Sequence, residues 1–310
     1  METATPKKIR PEQIMGIIAL FAAALLIALV ALCWPYMTAP EEDPDLLADR
    51  HQAATVSTVP ESTAPVETTE ATEPTETEET VPPTIPPESN PYGRLDFQYD
   101  RHNYLYCLRA DSFEGVDVSA FQGDIDWKQV KKSGIDFAMI RLGYRGYGTG
   151  KLVEDDYAKE NLEGAAEAGL AVGAYFFSQA LNIKEVNEEI AYMMKILGDR
   201  KLDMPIILDW EIPTSDARTA NMDARTLTDL QLHFCETMVE KGFVPMVYFN
   251  WYMSGRLLHL TELERYPFWL ALYQDRMTYP YKVEMWQYTD SGKVPGINGP
   301  VDINVYMPNP

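Results

Sequence analysis

Pro205-Ile206-Ile207-Leu208-Asp209-Trp210-Glu211 is the stretch of sequence that decides the predicted fold. Its unbroken apolar run behind a proline is typical of a β-strand buried on both faces. Side chains two positions apart on a strand share a face, so Asp209 and Glu211 project together from its end. In a parallel α/β sheet, ligands bind at that end. A lone Asp-x-Glu is more often a solvated acidic turn, so the rest of the chain has to support a site.

Strand and helix patterns alternate on both sides of this stretch, and several helices end at a glycine. This alternation predicts an α/β fold with a parallel sheet, and the close spacing of eight strands favours a closed barrel whose last three crossovers lack helices. An open doubly wound sheet is the alternative, but neither Gly-x-Gly-x-x-Gly nor a Walker loop is present to support it. The predicted strands are 115–119, 137–142, 171–177, 206–211, 244–250, 268–273, 283–288 and 301–306, and the predicted helices are 126–133, 155–168, 184–197, 226–241 and 252–258.

Carboxylates recur at the ends of these strands. Asp117 ends the first strand, Asp209 and Glu211 end the fourth, and Asp302 begins the eighth. Closure of the barrel makes the first and eighth strands neighbours, so we expect all four acids in one site. Polar and aromatic side chains that could contact sugar rings lie on or near the same strand ends, although part of them must belong to the barrel core. They are Tyr175, Phe177, Tyr248, Trp269, Trp286, Gln287 and Tyr288.

Two close carboxylates are what glycoside hydrolysis requires, one as an acid and one to manage the oxocarbenium-like charge. Clustered acids also raise one another's pKa values, which keeps the acid protonated near neutral pH. The same acids could hold Mg²⁺ or Ca²⁺, so a metal-dependent phosphoesterase stays open, although the basic residues expected around a phosphate are missing. The four histidines show no zinc-ligand spacing, and we predict no metal and no cofactor.

The N-terminal part has a different composition. Residues 14–34 form an apolar segment of membrane-spanning length behind Lys7, Lys8 and Arg10, which predicts a single transmembrane anchor with a cytoplasmic tail at 1–13. A cleaved signal peptide is the alternative. A Thr/Pro/Glu-rich stretch over 35–91 predicts a disordered linker. Residues 92–112 form an aromatic-rich extension before the domain at 113–310, and its short alternations suggest a hairpin. The domain is therefore predicted to lie outside the membrane, facing a cell wall.

The net charge of −21 argues against nucleic acid as a partner. Of the three cysteines, Cys33 lies in the apolar segment, and we predict that Cys107 and Cys235 are free thiols. Nothing in the sequence indicates an oligomeric state.

The motifs of the folded part resemble those of glycoside hydrolase family 25, the Chalaropsis-type lysozymes. The resemblance covers about 113–307, with the motifs in the family's order. They are 115–127 (GVDVSAFQGDIDW), 140–144 (IRLGY), 173–180 (GAYFFSQA), 208–211 (LDWE), 286–288 (WQY) and 301–304 (VDIN).

This resemblance implies a flattened TIM-like barrel of five β/α units plus three further strands. It also implies an N-acetylmuramidase that cuts the β-1,4 bond between N-acetylmuramic acid and N-acetylglucosamine in peptidoglycan glycan strands. Glu211 would be the general acid, Asp209 the second carboxylate, and Asp117 and Asp302 would tune the charge of the site. The retaining, inverting and acetamido-assisted routes all remain open, with family analogy favouring the last. A catalytically inactive wall-binding module is the alternative from a different class.

Overall fold

The computed structural model describes residues 86–308, and these fold around a closed eight-stranded barrel. The barrel strands, in the order in which they lie around it, are β3 (Phe113–Val118), β4 (Phe137–Arg145), β6 (Ala171–Ser178), β7 (Ile206–Trp210), β8 (Pro245–Asn250), β9 (Phe268–Ala271), β10 (Met285–Gly292) and β11 (Val301–Tyr306), and β11 pairs with β3 to close the ring. The closed barrel is confirmed, and the open sheet is wrong.

Strand direction explains why the two outer acids meet. The strands from β3 to β10 run parallel around the barrel, whereas β11 is antiparallel to both of its neighbours. The start of β11 therefore lies at the same end of the barrel as the end of β3. In this register Asp302 is directly opposite Asp117.

Six α-helices complete the described part of the chain. They are α1 (Trp127–Lys132), α2 (Ala158–Glu167), α3 (Ile183–Leu197), α4 (Ala224–Glu240), α5 (Trp251–Arg256) and α6 (Leu260–Leu263). Asp126, Asn182 and Asp223 cap the N-termini of α1, α3 and α4 through their side chains, which satisfies backbone N–H groups that lack a helical partner. The sequence prediction did not include β5 (Leu152–Glu154), a three-residue strand paired with the end of β4.

Alternation along each strand divides the apolar residues between two layers. On β7, Ile207 belongs to a small cluster inside the barrel together with Met139, Met246 and Trp269. Its neighbours Ile206 and Leu208 belong to the larger cluster that includes the buried residues of the helices. The strand is thus covered on both faces, as its unbroken apolar run predicts. Asp209 lies two residues after Ile207 and shares its inward face.

The segment before the barrel covers a wall that has no helices. Strands β1 (Phe97–Tyr99) and β2 (Leu105–Cys107) pair as an antiparallel hairpin, within the extension where the sequence suggests one. Phe97 packs edge-on against Trp286 of β10, with ring centroids 5.2 Å apart. The hairpin therefore replaces the missing helices as the cover of β10. Cys107 and Cys235 are both buried and unbridged, in agreement with the prediction.

The chain leading into the hairpin also contacts the barrel. The backbone N–H of Asn90 donates to the carbonyl oxygen of Pro280 (2.9 Å), and that of Lys282 donates to Glu88 (2.8 Å). The side-chain amide of Asn90 donates to Tyr279 (3.1 Å). We call residues 88–90 the strap. The strap lies within the last residues of the predicted linker at 35–91, and these residues pair with the connection before β10.

The predicted anchor at 14–34 lies outside the described residues, as do the tail at 1–13 and most of the linker. Among residues 86–308, no helix is long and apolar enough to cross a bilayer.

Candidate active site

A cleft of about 950 Å³ opens where the parallel barrel strands end. All four predicted carboxylates line it, and so do five of the seven other predicted residues. Those that line it are Asp117, Asp209, Glu211, Asp302, Tyr175, Phe177, Tyr248, Trp269 and Gln287. The strand-end pattern therefore located one continuous site.

Trp286 and Tyr288 do not line the cleft, which corrects their predicted place in the site. Strand β10 alternates its faces, so Met285 and Gln287 point into the barrel while Trp286 and Tyr288 point outward. The indole of Trp286 donates to the carbonyl oxygen of Leu272 (2.8 Å), and both rings pack beneath the hairpin. They stabilise the outer wall of the barrel.

Buried hydrogen bonds hold the main chain at Glu211, the residue that follows β7. The side-chain amide of Gln179 donates to the carbonyl oxygen of Glu211 (2.8 Å) and to that of Ser178 (3.0 Å). The hydroxyl of Thr219 lies 2.9 Å from Oε1 of Gln179 and 3.2 Å from the Glu211 carbonyl oxygen, so its proton serves both acceptors. Gln179 and Thr219 are fully buried. We call this pair the latch, and it holds Glu211 from two separate segments.

The Glu211 side chain meets a tyrosine. Tyr248 is hydrogen-bonded to the Glu211 carboxyl group, and burial together with the nearby charges of Glu211 and Asp209 raises the pKa of the phenol well above its usual range. Tyr248 therefore stays neutral and keeps a proton to donate. The hydrogen bond from this neutral phenol orients the Glu211 side chain and adds no further negative charge beside it.

Asp117 and Asp302 form a hydrogen-bonded pair beside this acid. Asp117 accepts hydrogen bonds from the side-chain amides of Asn304 (2.7 Å) and Gln287 (2.9 Å). Burial raises the pKa of Asp117, whereas burial and the negative charge of Asp117 raise the pKa of Asp302 well above its usual range. Asp302 therefore carries the shared proton and Asp117 the charge, since two adjacent buried carboxylates cannot both ionise readily.

Sequence reasoning missed several residues of the cleft. Tyr273 lines it and donates to Oε1 of Gln287 (3.1 Å), and burial beside Asp302 raises the pKa of its phenol well above the usual range. Asn304 does not line the cleft but supports it by donating to Asp117; it is two residues after Asp302 on β11 and therefore shares its face, a signal that alternation could have supplied. No local sequence pattern predicts a place for Tyr273 in the cleft, because this residue lies in the irregular connection between β9 and β10.

Arg141 brings a positive charge to a cleft whose other charged lining residues are acids. It is buried, bridges to Asp155 (2.8 Å) and lies over the ring of Phe121 at 5.0 Å. Asp155 also accepts from the backbone N–H of Ala120 (2.9 Å). This network fixes the turn after β3, which carries Phe121 at the edge of the cleft.

The rim presents exposed aromatic faces. Trp251 and Tyr252 are 50% and 55% exposed at the start of α5. Such rings can pack on the apolar faces of sugars, and the carboxylates and amides between them can bond to hydroxyl groups. Within residues 86–308, no three His, Cys, Asp or Glu side chains are grouped so that they could hold a metal ion.

Comparison with known proteins identifies the family of this chain. The family-wide sequence pattern of the glycosyl hydrolases family 25 matches residues 116–297. Two curated relatives are YegX of Escherichia coli strain K12, 29% identical over 63% of this chain and 70% of the relative, and lysozyme M1 of Streptomyces globisporus, 28% identical over 62% of this chain and 67% of the relative.

Two solved structures share the fold. The family 25 glycosyl hydrolase from Bacillus anthracis is 23% identical, with a TM-score of 0.55 over 68% of this chain and 96% of that one. The modular autolysin LytC from Streptococcus pneumoniae, solved with a synthetic peptidoglycan ligand, is 22% identical with a TM-score of 0.55 over 68% of this chain. This chain covers half of the LytC chain.

Proposed function

The chain belongs to the glycosyl hydrolases family 25 and is a glycoside hydrolase of the lysozyme type, and from this premise we propose that it cuts peptidoglycan at the β-1,4 bond between N-acetylmuramic acid and N-acetylglucosamine. One observation carries the proposal. Asp209 at the end of β7 and Glu211 just after it both line a cleft of about 950 Å³ whose rim is aromatic. A polymer of sugar rings is the ligand that such a cleft suits.

Glu211 is the proposed general acid. The residue is only 9% exposed, so the protein encloses most of its side chain while the carboxyl group still reaches the cleft. Tyr248 and the latch hold the two ends of the residue, so the proton can be delivered to the glycosidic oxygen from one fixed direction.

Asp209 is the proposed partner at the reacting sugar. We favour the route in which the 2-acetamido group of the substrate attacks its own anomeric carbon while Asp209 stabilises the charge on the resulting ring. The pair of Asp117 and Asp302 carries one negative charge at the same end of the cleft, which stabilises positive charge developing on the sugar. NMR of the first-formed product tests the route, since an inverted anomeric configuration would exclude it.

The decisive experiment is digestion of purified peptidoglycan by residues 86–310, a range that keeps the strap. New muramic acid reducing ends are expected. Glucosamine ends would instead identify a glucosaminidase, and the absence of new ends would favour the wall-binding module. Glu211→Gln should abolish release while circular dichroism stays unchanged. Glu236→Gln, which removes an exposed carboxylate on α4, is the matched control and should keep full activity.

Membrane attachment is a separate part of the proposal, supported by the apolar segment at 14–34 and the basic residues before it. It places the domain outside the membrane, where a tethered enzyme reaches nearby wall. Expression of the full chain and of a chain lacking residues 1–34 tests it. The full chain should sediment with membranes and resist extraction by salt, and recovery of the full chain in the soluble fraction would contradict the attachment.

A further inference from the structure

A side pocket of about 340 Å³ adjoins the cleft. Asn250 and Tyr252 line both cavities, so the two spaces share one wall. Ile212, which lines the pocket, is the residue immediately after Glu211 in the chain. A ligand in the cleft could therefore extend an arm into the pocket without leaving the neighbourhood of the reacting bond. The other lining residues are Ser215, Ala220, Asn221 and Met253.

The pocket lining has the polarity of an amide binder. No charged side chain lines it, and Ile212, Ala220 and Met253 supply apolar surface. Asn250 uses Oδ1 to accept from the backbone N–H of Met253 (3.0 Å), which leaves its amide N–H groups as donors. Within residues 86–308, the side chains of Ser215 and Asn221 make no hydrogen bond with another residue. These groups can bind neutral carbonyl and N–H groups, whereas a free carboxylate would find no cation.

Size selects among the neutral amide groups that peptidoglycan offers. At about 30 Å³ for each water molecule in the liquid, the pocket has room for on the order of ten small non-hydrogen groups. The acetamido group of a sugar has four non-hydrogen atoms and would leave most of this space unfilled. The lactyl ether of muramic acid, joined through an amide to the first alanine of the stem peptide, is about the right size and carries two methyl groups.

We propose that the side pocket binds the lactyl-alanyl arm of peptide-substituted muramic acid, which makes the enzyme selective for glycan strands that carry stem peptides. This inference rests on the proposed function and extends it to the substituent of the substrate. Ile212, Ala220 and Met253 contact the methyl groups, and Ser215, Asn221 and Asn250 bond to the amide. Bonds to this amide are lost when the peptide is removed, because the lactyl group then ends in a carboxylate.

The test compares two substrates of equal chain length, glycan strands with intact stem peptides and the same strands stripped by an N-acetylmuramoyl-L-alanine amidase. For the unaltered protein, kcat/KM should be on the order of tenfold higher on the peptide-bearing strands. This factor corresponds to the net contribution of one or two hydrogen bonds. Ser215→Trp fills the pocket from an exposed position and should bring this ratio close to one. Asn221→Ala removes one donor and should lower the ratio without filling the space.

Asp216→Trp is the matched control, because Asp216 is exposed and adjacent to Ser215 but does not line the pocket. It should leave the ratio unchanged. Equal rates of the unaltered protein on both substrates would overturn the proposal. An equal loss on both substrates in Ser215→Trp would also overturn it, since the pocket would then bind a sugar. The type of reducing end released identifies the bond, so the outcome for the proposed function is read separately from the ratio.

Discussion

Replacing Thr219 with valine removes one hydroxyl group and keeps the branched shape of the side chain, so it tests the latch with little change in packing. The hydroxyl is fully buried and lies 2.9 Å from Oε1 of Gln179 and 3.2 Å from the carbonyl oxygen of Glu211. Its loss leaves the Gln179 oxygen without its donor in a dry site, which should lower the free energy of unfolding by about 1–3 kcal/mol. A domain with a typical stability of about 5–15 kcal/mol stays folded after such a loss.

The effect on catalysis should come from the position of Glu211 and not from unfolding. The Gln179 amide still donates to the Glu211 carbonyl oxygen at 2.8 Å, so Glu211 is loosened but not released. Since misplacing a catalytic group by about 1 Å can cost on the order of a hundredfold in rate, we expect about a tenfold fall in kcat from this partial loosening. KM should change by less than about twofold, because Thr219 does not line the cleft.

Steady-state digestion of a soluble glycan substrate across pH measures both constants, and Thr219→Ser should restore kcat. Thr214→Val is the matched control, because the buried Thr214 hydroxyl lies on the same loop and has no hydrogen-bond partner among the described residues. It should leave kcat and the pH profile unchanged. An unaltered kcat in Thr219→Val, together with the expected loss of stability, would refute the positioning role of the latch.

Two further predictions concern the acid pair and the hairpin. Asp302→Asn should keep activity within about tenfold, because the amide resembles the protonated acid, whereas Asp117→Asn should lose a hundredfold or more through the missing charge; equal losses in peptidoglycan digestion would contradict this assignment of the proton. Deleting residues 86–112 should uncover Trp286 and Tyr288 and abolish cooperative thermal unfolding, since it removes five buried apolar residues, of which Phe97 and Leu105 contribute about 1.5–3 kcal/mol each. An unchanged Tm on calorimetry would show that the barrel does not need this cover.

Periodicity was sufficient to predict the centre of the site and insufficient for its walls. The apolar run before Asp209 gave a buried strand, and the spacing of two placed Asp209 and Glu211 on one face. The same rule also bears on 286–288. Three consecutive strand residues cannot share a face, so either Gln287 or the pair of Trp286 and Tyr288 could line the cleft if β10 was regular. Alternation alone therefore excludes a site with all three, and only the fold shows that Gln287 is the inward residue.

Contacts distant in sequence had no comparable signal. Gln179 and Thr219 are 40 positions apart, and only the folded loop after β7 brings them to the Glu211 carbonyl. The antiparallel direction of β11 was equally hidden, although it decides that Asp302 meets Asp117. The local pattern shows which residues of one strand share a face. The hydrogen-bond partners that a residue finds on other elements depend instead on the path of the connecting loops.

The strap gives the cleft a mechanical connection to everything before it in the chain. The strap pairs with residues 279–282, and the connection that contains them also contributes Tyr273, Gln274 and Thr278 to the cleft wall. A pulling force applied ahead of residue 86 would reach these few hydrogen bonds before it reached any barrel strand. Tension on the N-terminal side would therefore reach the cleft wall that holds Tyr273 first, and strand β7 with its two carboxylates only afterwards.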